Sequence, residues 1–204
     1  MYKYFKQFIL LMLSMMYVSN ITTDNYKDEI KLWQNEMNAE FKDAETSPLT
    51  DQDRAVFKGL NFYAIDEDFS VKAKLTLNKK PTEFGMKTTT ERRPIYIKYG
   101  VASFKIKGQD YQISIYQNIE LVKRPGYTDH LFMLFTDKTS GKDSYAGGRY
   151  IDLKVPQEGE LLIDFNKAYN PYCAYNHKYS CPIPPNEDYL DTEILAGVMK
   201  YDHK

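Results

Sequence analysis

The sequence lacks the short motifs that mark the common enzyme classes. It contains no Gly-x-Ser-x-Gly nucleophile elbow, no phosphate-binding P-loop, no dinucleotide-binding glycine fingerprint and no His-Glu-x-x-His zinc motif. Histidine is scarce, with three residues in 204, and only His130 and His177 lie away from the chain end. The sequence therefore leaves open whether the protein is an enzyme, and it indicates no cofactor.

An excess of charge of one sign is also lacking. The chain has 27 basic and 28 acidic residues, for a formal net charge of -1. Because non-specific nucleic-acid binding depends on neutralising phosphates with a basic surface, this balance argues against a nucleic-acid partner. A chain of 204 residues that is 43% hydrophobic has the size and apolar content of one domain with a substantial core.

The N-terminal apolar run is too short for a transmembrane helix, which needs about 20 apolar residues. Residues 8–18 are almost wholly apolar, follow Lys3 and Lys6, and end at Ser19 and Asn20. A short apolar core after a basic start is typical of a secretory signal peptide. Residues 1–20 are therefore predicted to be a signal peptide, and the protein to be exported to the periplasm or the extracellular space. An uncleaved anchor, which would contact the membrane through this segment alone, and an apolar helix of a cytosolic protein remain alternatives.

Residues 21–46 are predicted to form an amphipathic helix. Apolar residues recur in this segment at spacings of three and four, which places them on one face of a helix. The stripe consists of Tyr26, Ile30, Trp33, Met37 and Phe41. We expect the stripe to pack on the protein's own core, and a partner-binding helix is the alternative.

Residues 47–204 have the pattern of a β domain. Residues 69–77 alternate apolar and polar side chains, as a half-buried strand does, and Gly108-Gln109 separates two further alternating runs as a hairpin turn would. Additional short strands are predicted at 96–99, 104–106, 111–115, 131–135, 150–155, 160–165 and 192–201. Short strands with almost no helix between them indicate a mainly β single domain, an antiparallel β-sandwich or a barrel-like sheet.

The two cysteines lie in a run rich in proline and tyrosine, residues 164–185. Cys173 and Cys181 enclose seven residues, and in an oxidising compartment such a pair most simply forms a disulfide. A metal site formed by Cys173, His177 and Cys181, which are spaced four apart, is one alternative. Two free buried thiols are the other.

Candidate binding residues surround the glycine pair Gly147-Gly148. The fixed fork of an arginine suits carboxylates and phosphates, so Arg149 with Asp137 and Tyr145 could bind an anionic or sugar ligand. The alternative is a buried ion pair between Arg149 and either Asp137 or Asp164. The complete set of candidate ligand-binding residues is Asp137, Tyr145, Arg149, Asp164, Asn166, Tyr169, Tyr175 and Glu187.

Several segments share the pattern of one known family: 47–60, 137–141, 144–150, 164–175, 181–185 and 196–197. In these segments the chain resembles the bacterial family called domain of unknown function 1684. Two positions depart from the family pattern: Asn186-Glu187-Asp188 replaces the usual Pro-Glu-Asn, and Val198 stands where a glutamate usually follows Ala-Gly. The resemblance implies a compact, mainly β domain and implies no activity.

Two hypotheses for function follow. In the first, the protein is a non-catalytic domain whose loops bind a small molecule or a partner in the cell envelope, because loops on a rigid sheet commonly carry binding residues. In the second, it is a hydrolase-like enzyme in which Asp137, Asp164 or Glu187 serves as a general acid or base, with a metal at the cysteine loop. A catalytic role for His130 would require a partner that the sequence does not identify.

Overall fold

The computed structural model describes residues 25–202, which fall into two units divided after Glu40. In the first unit, residues 25–40 are helical, and this helix, α1, ends at residue 42. Within residues 25–202, no helix combines the length and the apolar character needed to cross a bilayer. The predicted signal peptide, residues 1–20, lies outside the described residues.

The second unit contains a curled β-sheet preceded by a short helix, α2, at Asp51–Val56. The eight strands are β1 (Ser70–Leu77), β2 (Glu83–Gly85), β3 (Ile95–Ile106), β4 (Gln109–Asn118), β5 (His130–Asp137), β6 (Arg149–Lys154), β7 (Glu160–Asp164) and β8 (Tyr189–Leu190). Six strands follow the order β6-β5-β4-β3-β1-β7, while β2 pairs with β3 and β8 pairs with β5. All pairs are antiparallel except β5 with β8, and contacts between β6 and β7 curl the sheet into a half-barrel.

Strand β5 is buried on both faces and supplies two separate apolar clusters. Leu131, Met133 and Phe135 point into the main core inside the curled sheet. Phe132 and Leu134 point the other way, into a smaller cluster that contains several tyrosines. A strand covered on both sides has a continuous apolar run rather than an alternation, which accounts for the sequence of residues 131–135.

The β3–β4 hairpin closes through a two-residue turn. Ile106 pairs with Gln109, and the two residues between them, Lys107 and Gly108, both have positive φ angles, 48° and 82°. Two consecutive positive φ angles define the type I′ turn, whose twist matches that of the strands it joins. The turn therefore lies one residue before the Gly108-Gln109 position expected from the sequence.

The predicted fold class is confirmed: the protein is mainly β, with an antiparallel, barrel-like sheet and an N-terminal helix. Two predicted strands, 96–99 and 104–106, are parts of the single long strand β3. The predicted strand at 192–201 was wrong. That segment makes one isolated bridge, between Val198 and Phe62, and its buried residues Ile194 and Ala196 lie in irregular backbone.

Gly148 is a position where both backbone geometry and packing exclude a side chain. Its φ is +87°, and a Cβ would lie 2.5 Å from the Phe135 carbonyl oxygen. We expect Gly148→Ala to lower the free energy of unfolding by about 2–4 kcal/mol, measured by urea denaturation. Gly108→Ala is the matched control, because Gly108 has a similar φ of +82° and open space around it. Equal losses in the two variants would contradict the proposed clash.

Candidate functional site

Arg149 and Asp137 form a buried ion pair between the start of β6 and the end of β5. Arg149 Nη2 lies 2.7 Å from Asp137 Oδ2, and the two side chains are 1% and 0% exposed. The other carboxylate oxygen, Oδ1, accepts hydrogen bonds from the backbone N–H and the hydroxyl of Thr139, both at 2.6 Å. Of the two predicted arrangements for Arg149, the structure has the buried ion pair.

The same guanidinium holds the irregular segment after β8. Its Nη1 donates to the Ala196 carbonyl at 2.5 Å, and its Nη2 donates to the Ile194 carbonyl at 2.9 Å. The rings of Phe135 and Tyr63 lie 5.2 and 5.7 Å from the guanidinium carbon. With its charge paired and these carbonyls bound, Arg149 acts as a clamp inside the domain.

Asp164 and Asn166 form a second internal contact, at the end of β7. Asp164 Oδ1 accepts from the backbone N–H of Asn166 at 3.0 Å. The Asn166 side chain then exchanges two hydrogen bonds with the backbone of Asp66, at 3.0 and 2.8 Å. These contacts connect the end of β7 to the segment that leads into β1.

Tyr169 belongs to a third cluster, with Asp152 and His130. The Tyr169 hydroxyl donates to Asp152 Oδ2 at 2.6 Å, and His130 Nε2 lies 2.8 Å from Asp152 Oδ1. Burial, followed by the charge of Asp152, raises the pKa of Tyr169 well above its usual range. The other imidazole nitrogen, Nδ1, is buried without a hydrogen-bond partner.

Two further candidate residues, Tyr175 and Glu187, lie in contrasting environments. Tyr175 is buried, where its ring packs edge-on against Phe41 with centroids 4.7 Å apart. Glu187 is exposed, whereas its neighbour Asp188 is buried and accepts from the Ser114 N–H and the Tyr116 hydroxyl at 2.9 and 2.6 Å. Burial raises the pKa of Asp188. Asp188 was not identified from the sequence, because an acidic residue after a proline cluster usually lies on the surface.

The predicted disulfide between Cys173 and Cys181 was wrong, because both residues are free and buried thiols. The backbone N–H of Cys173 donates to Cys181 Sγ at 3.2 Å, so the two residues are in contact without a covalent bond between the sulfurs. The predicted alternative of two free buried thiols is the arrangement present. Tyr145 lies beside them, with its hydroxyl 4.0 Å from Cys173 Sγ.

The thiol pair is electrostatically asymmetric. A hydrogen bond from the Cys181 thiol lowers the pKa of Cys173 to about 7, and the same contact raises the pKa of Cys181. Burial, with the neighbouring Cys173, raises the pKa of Tyr145 to about 12. Tyr145 therefore keeps its hydroxyl proton at neutral pH and remains able to donate a hydrogen bond.

The three-residue metal alternative has no support in the described part of the chain. His177 is exposed, unlike the two cysteines. Among residues 25–202, no group of three or more His, Cys, Asp or Glu side chains could together hold a metal ion.

A cleft opens elsewhere, where β1 separates from β3. The two strands pair only from Lys74, which lies opposite Ser103, towards the end of β1, whereas the first half of β1 pairs with β7 alone. The gap between them has a volume of about 440 Å³. That volume falls within the range of small-molecule sites, about 300–1,000 Å³. Val71 and Phe104, both members of the main core, lie at its floor.

The rim of this cleft is charged. Lys72 pairs with Glu160 at 3.6 Å on one side, and Lys105 pairs with Asp110 at 2.7 Å on the other. Lys74 lies opposite Glu160 in the β1–β7 pairing, but the Glu160 carboxylate is within ion-pair distance of Lys72, and within residues 25–202 no carboxylate pairs with Lys74. The lining therefore carries three lysines against two acids, and the unbalanced positive charge lies where the strands diverge.

No local pattern in the sequence indicates this cleft. Lys72, Lys74 and Lys105 alternate with apolar residues, as the solvated face of any half-buried strand does. The cleft exists because β1 pairs with β7 before Lys74 and with β3 after it. The sequence of a single strand does not indicate which strands it pairs with. None of the eight residues predicted to bind a ligand lines it.

The clamp formed by Arg149 predicts a large loss of stability when its charge is removed. We expect Arg149→Met to lower the free energy of unfolding by about 3–5 kcal/mol, because the Asp137 carboxylate would remain buried without a counter-charge. Urea denaturation at neutral pH measures the loss. Lys138→Met is the control, since Lys138 pairs with Asp191 on the surface, and it should remain close to wild type. Similar stabilities for the two variants would exclude the clamp.

Comparison with known proteins places the chain in a family. The family described as "Protein of unknown function (DUF1684)" matches residues 55–199. A solution NMR structure of an uncharacterized protein from Haloarcula marismortui is similar, with 30% sequence identity, a TM-score of 0.67, and coverage of 87% of this chain and 95% of that one. No curated protein matches the chain. The residues that match, together with this structural similarity, show that the chain belongs to the DUF1684 family.

Proposed function

We propose that this protein is a non-catalytic binding protein for small anionic molecules that have an apolar part. The observation that carries this proposal is the cleft between β1 and β3, which combines an apolar floor with a charged rim. Binding sites for small molecules combine apolar surface with placed polar groups, and this one is unusually polar, with two apolar residues among the eight that line it. The family match and the similar structure are those of uncharacterised proteins, so the ligand class rests on the cleft alone.

The charges of the rim favour an anion. Two of the three lysines already have carboxylate partners, which leaves the Lys74 ammonium to interact with an incoming negative group. The Ser103 hydroxyl, opposite Lys74, is a second donor for the same group. A hydrogen bond to a charged partner contributes more than one between neutral groups. The apolar part of the ligand would then cover Val71 and Phe104.

The placement of the carboxylates favours binding over catalysis. Asp137 is enclosed by Arg149 and Thr139, and Asp164 serves as an internal acceptor for Asn166. The two carboxylates at the cleft are each engaged with a lysine on the surface. The alternative of a hydrolase would need a carboxylate that can reach a substrate with a proton to exchange, and these contacts do not supply one. Glu187, the third predicted acid or base, is exposed but does not line the cleft.

The proposal can be tested with 8-anilinonaphthalene-1-sulfonate, an anionic probe with an apolar body. We expect its fluorescence to rise on binding and decanoate to displace it. Lys74→Ala should weaken probe binding about threefold to tenfold, because the charge-assisted contact is lost. Lys154→Ala, on the exposed face of β6, is the matched control and should bind as the wild type does.

Amide chemical shifts in an NMR titration locate the bound probe independently of the variants. We expect the largest changes at residues 70–74 and 103–106. Changes concentrated elsewhere, or equal weakening by Lys74→Ala and Lys154→Ala, would reject the cleft as the binding site.

We also propose that the protein is exported. This proposal rests on residues 1–20, where a basic start precedes a short apolar core. We expect the intact mass of the protein isolated from its native cells to lack about the first 20 residues. A full-length mass in the soluble cytosolic fraction would refute export, and a full-length mass in the membrane fraction would indicate an uncleaved anchor.

A further inference from the structure

The two cysteine sulfurs converge without a covalent bond. The Cys173 backbone N–H donates to Cys181 Sγ at 3.2 Å, which brings the Cys181 sulfur against residue 173. The residues are 5% and 7% exposed, so they lie just beneath the surface. The pair therefore places two sulfur donors next to each other in one buried position.

The surrounding backbone holds the sulfurs in place from a distant part of the chain. The Cys181 backbone N–H donates to the Thr89 hydroxyl at 3.1 Å, and the Thr89 N–H donates to the Cys181 carbonyl at 2.9 Å. Cys173 lies in a single 3₁₀ turn, Tyr172–Ala174, which follows Pro171. Both cysteines are held through their backbones, which limits how far apart the two sulfurs can move.

The donor set restricts what the site could bind. Two sulfurs are present, and no third His, Cys, Asp or Glu among residues 25–202 joins them to form a metal-binding group. Zinc usually takes three or four protein ligands, and calcium and magnesium take oxygen donors. Soft thiolates select Cu(I), which, unlike zinc, is stable with two ligands in a nearly linear arrangement.

We propose that Cys173 and Cys181 form a two-thiolate site for Cu(I). Binding forms two copper–sulfur bonds and breaks two S–H bonds, whose protons pass to solvent, and no electron is transferred. The product is a bis-thiolate with one net negative charge. Two donors are positioned to stabilise that charge, the backbone N–H of Cys173 at one sulfur and the Tyr145 hydroxyl at the other.

Competition for Cu(I) tests this site in the full-length reduced protein without oxygen. The coloured complex of Cu(I) with bicinchoninate is titrated with protein, and loss of colour reports the transfer. We expect one Cu(I) per chain. Cys173→Ser and Cys181→Ser should each weaken binding by about 100-fold or more, because one remaining thiolate cannot complete the site.

His177→Ala is the matched control, because His177 lies in the same loop and is exposed. It should bind Cu(I) as the wild type does if two sulfurs suffice. A loss equal to that of the cysteine variants would overturn the two-thiolate site, and so would a wild-type protein that removes no Cu(I) from bicinchoninate.

X-ray absorption at the copper edge of the loaded wild-type protein provides a second measurement that requires no variant. Two sulfur neighbours and no nitrogen neighbour are expected. A spectrum dominated by nitrogen or oxygen neighbours would refute the proposal even if a cysteine variant fails to fold.

Discussion

The buried ion pair between Arg149 and Asp137 is the constraint on which the C-terminal third of the protein depends. Removing two charges from water is costly, and each further hydrogen bond to the remaining donors and acceptors offsets part of that cost. Here the guanidinium also binds the carbonyls of Ile194 and Ala196, and the carboxylate also binds Thr139. The pair therefore determines the path of three separate segments: the end of β5, the start of β6 and the chain after β8.

This constraint explains why the alternation in residues 192–201 does not produce a strand. The alternation does reflect burial, since Ile194, Ala196 and Val198 are all buried. However, two carbonyls that a strand would offer to a neighbouring strand are taken by Arg149. Periodicity in the sequence reports which side chains are buried, and it does not report which groups satisfy the backbone.

Much of the fold could be predicted, because strands and turns leave local signals. The apolar–polar alternation of β1 and the glycine of the β3–β4 turn are both signals contained within a few consecutive residues. The contacts among the predicted polar residues were less accessible, since Arg149 had two possible acidic partners and only the three-dimensional structure distinguishes Asp137 from Asp164. The disulfide was predicted from spacing and an assumed oxidising compartment, whereas bonding also requires the sulfurs to meet at covalent distance.

The cleft and the surroundings of the thiol pair depend on segments that are distant in sequence: β1 meets β3 at Lys74 and Ser103, and Cys181 meets Thr89.

The attachment of the cysteine loop to residues 88–92 has a consequence for the order of folding. Thr90 and Arg92 bind Ser180, so these contacts close a loop of about 90 residues. Contacts between residues so far apart in sequence slow folding, because a long segment must be ordered before they form. The strands β1–β7 all precede residue 180, so most of the sheet can pair without the cysteine loop. A chain in which this loop has not yet attached would expose both thiols.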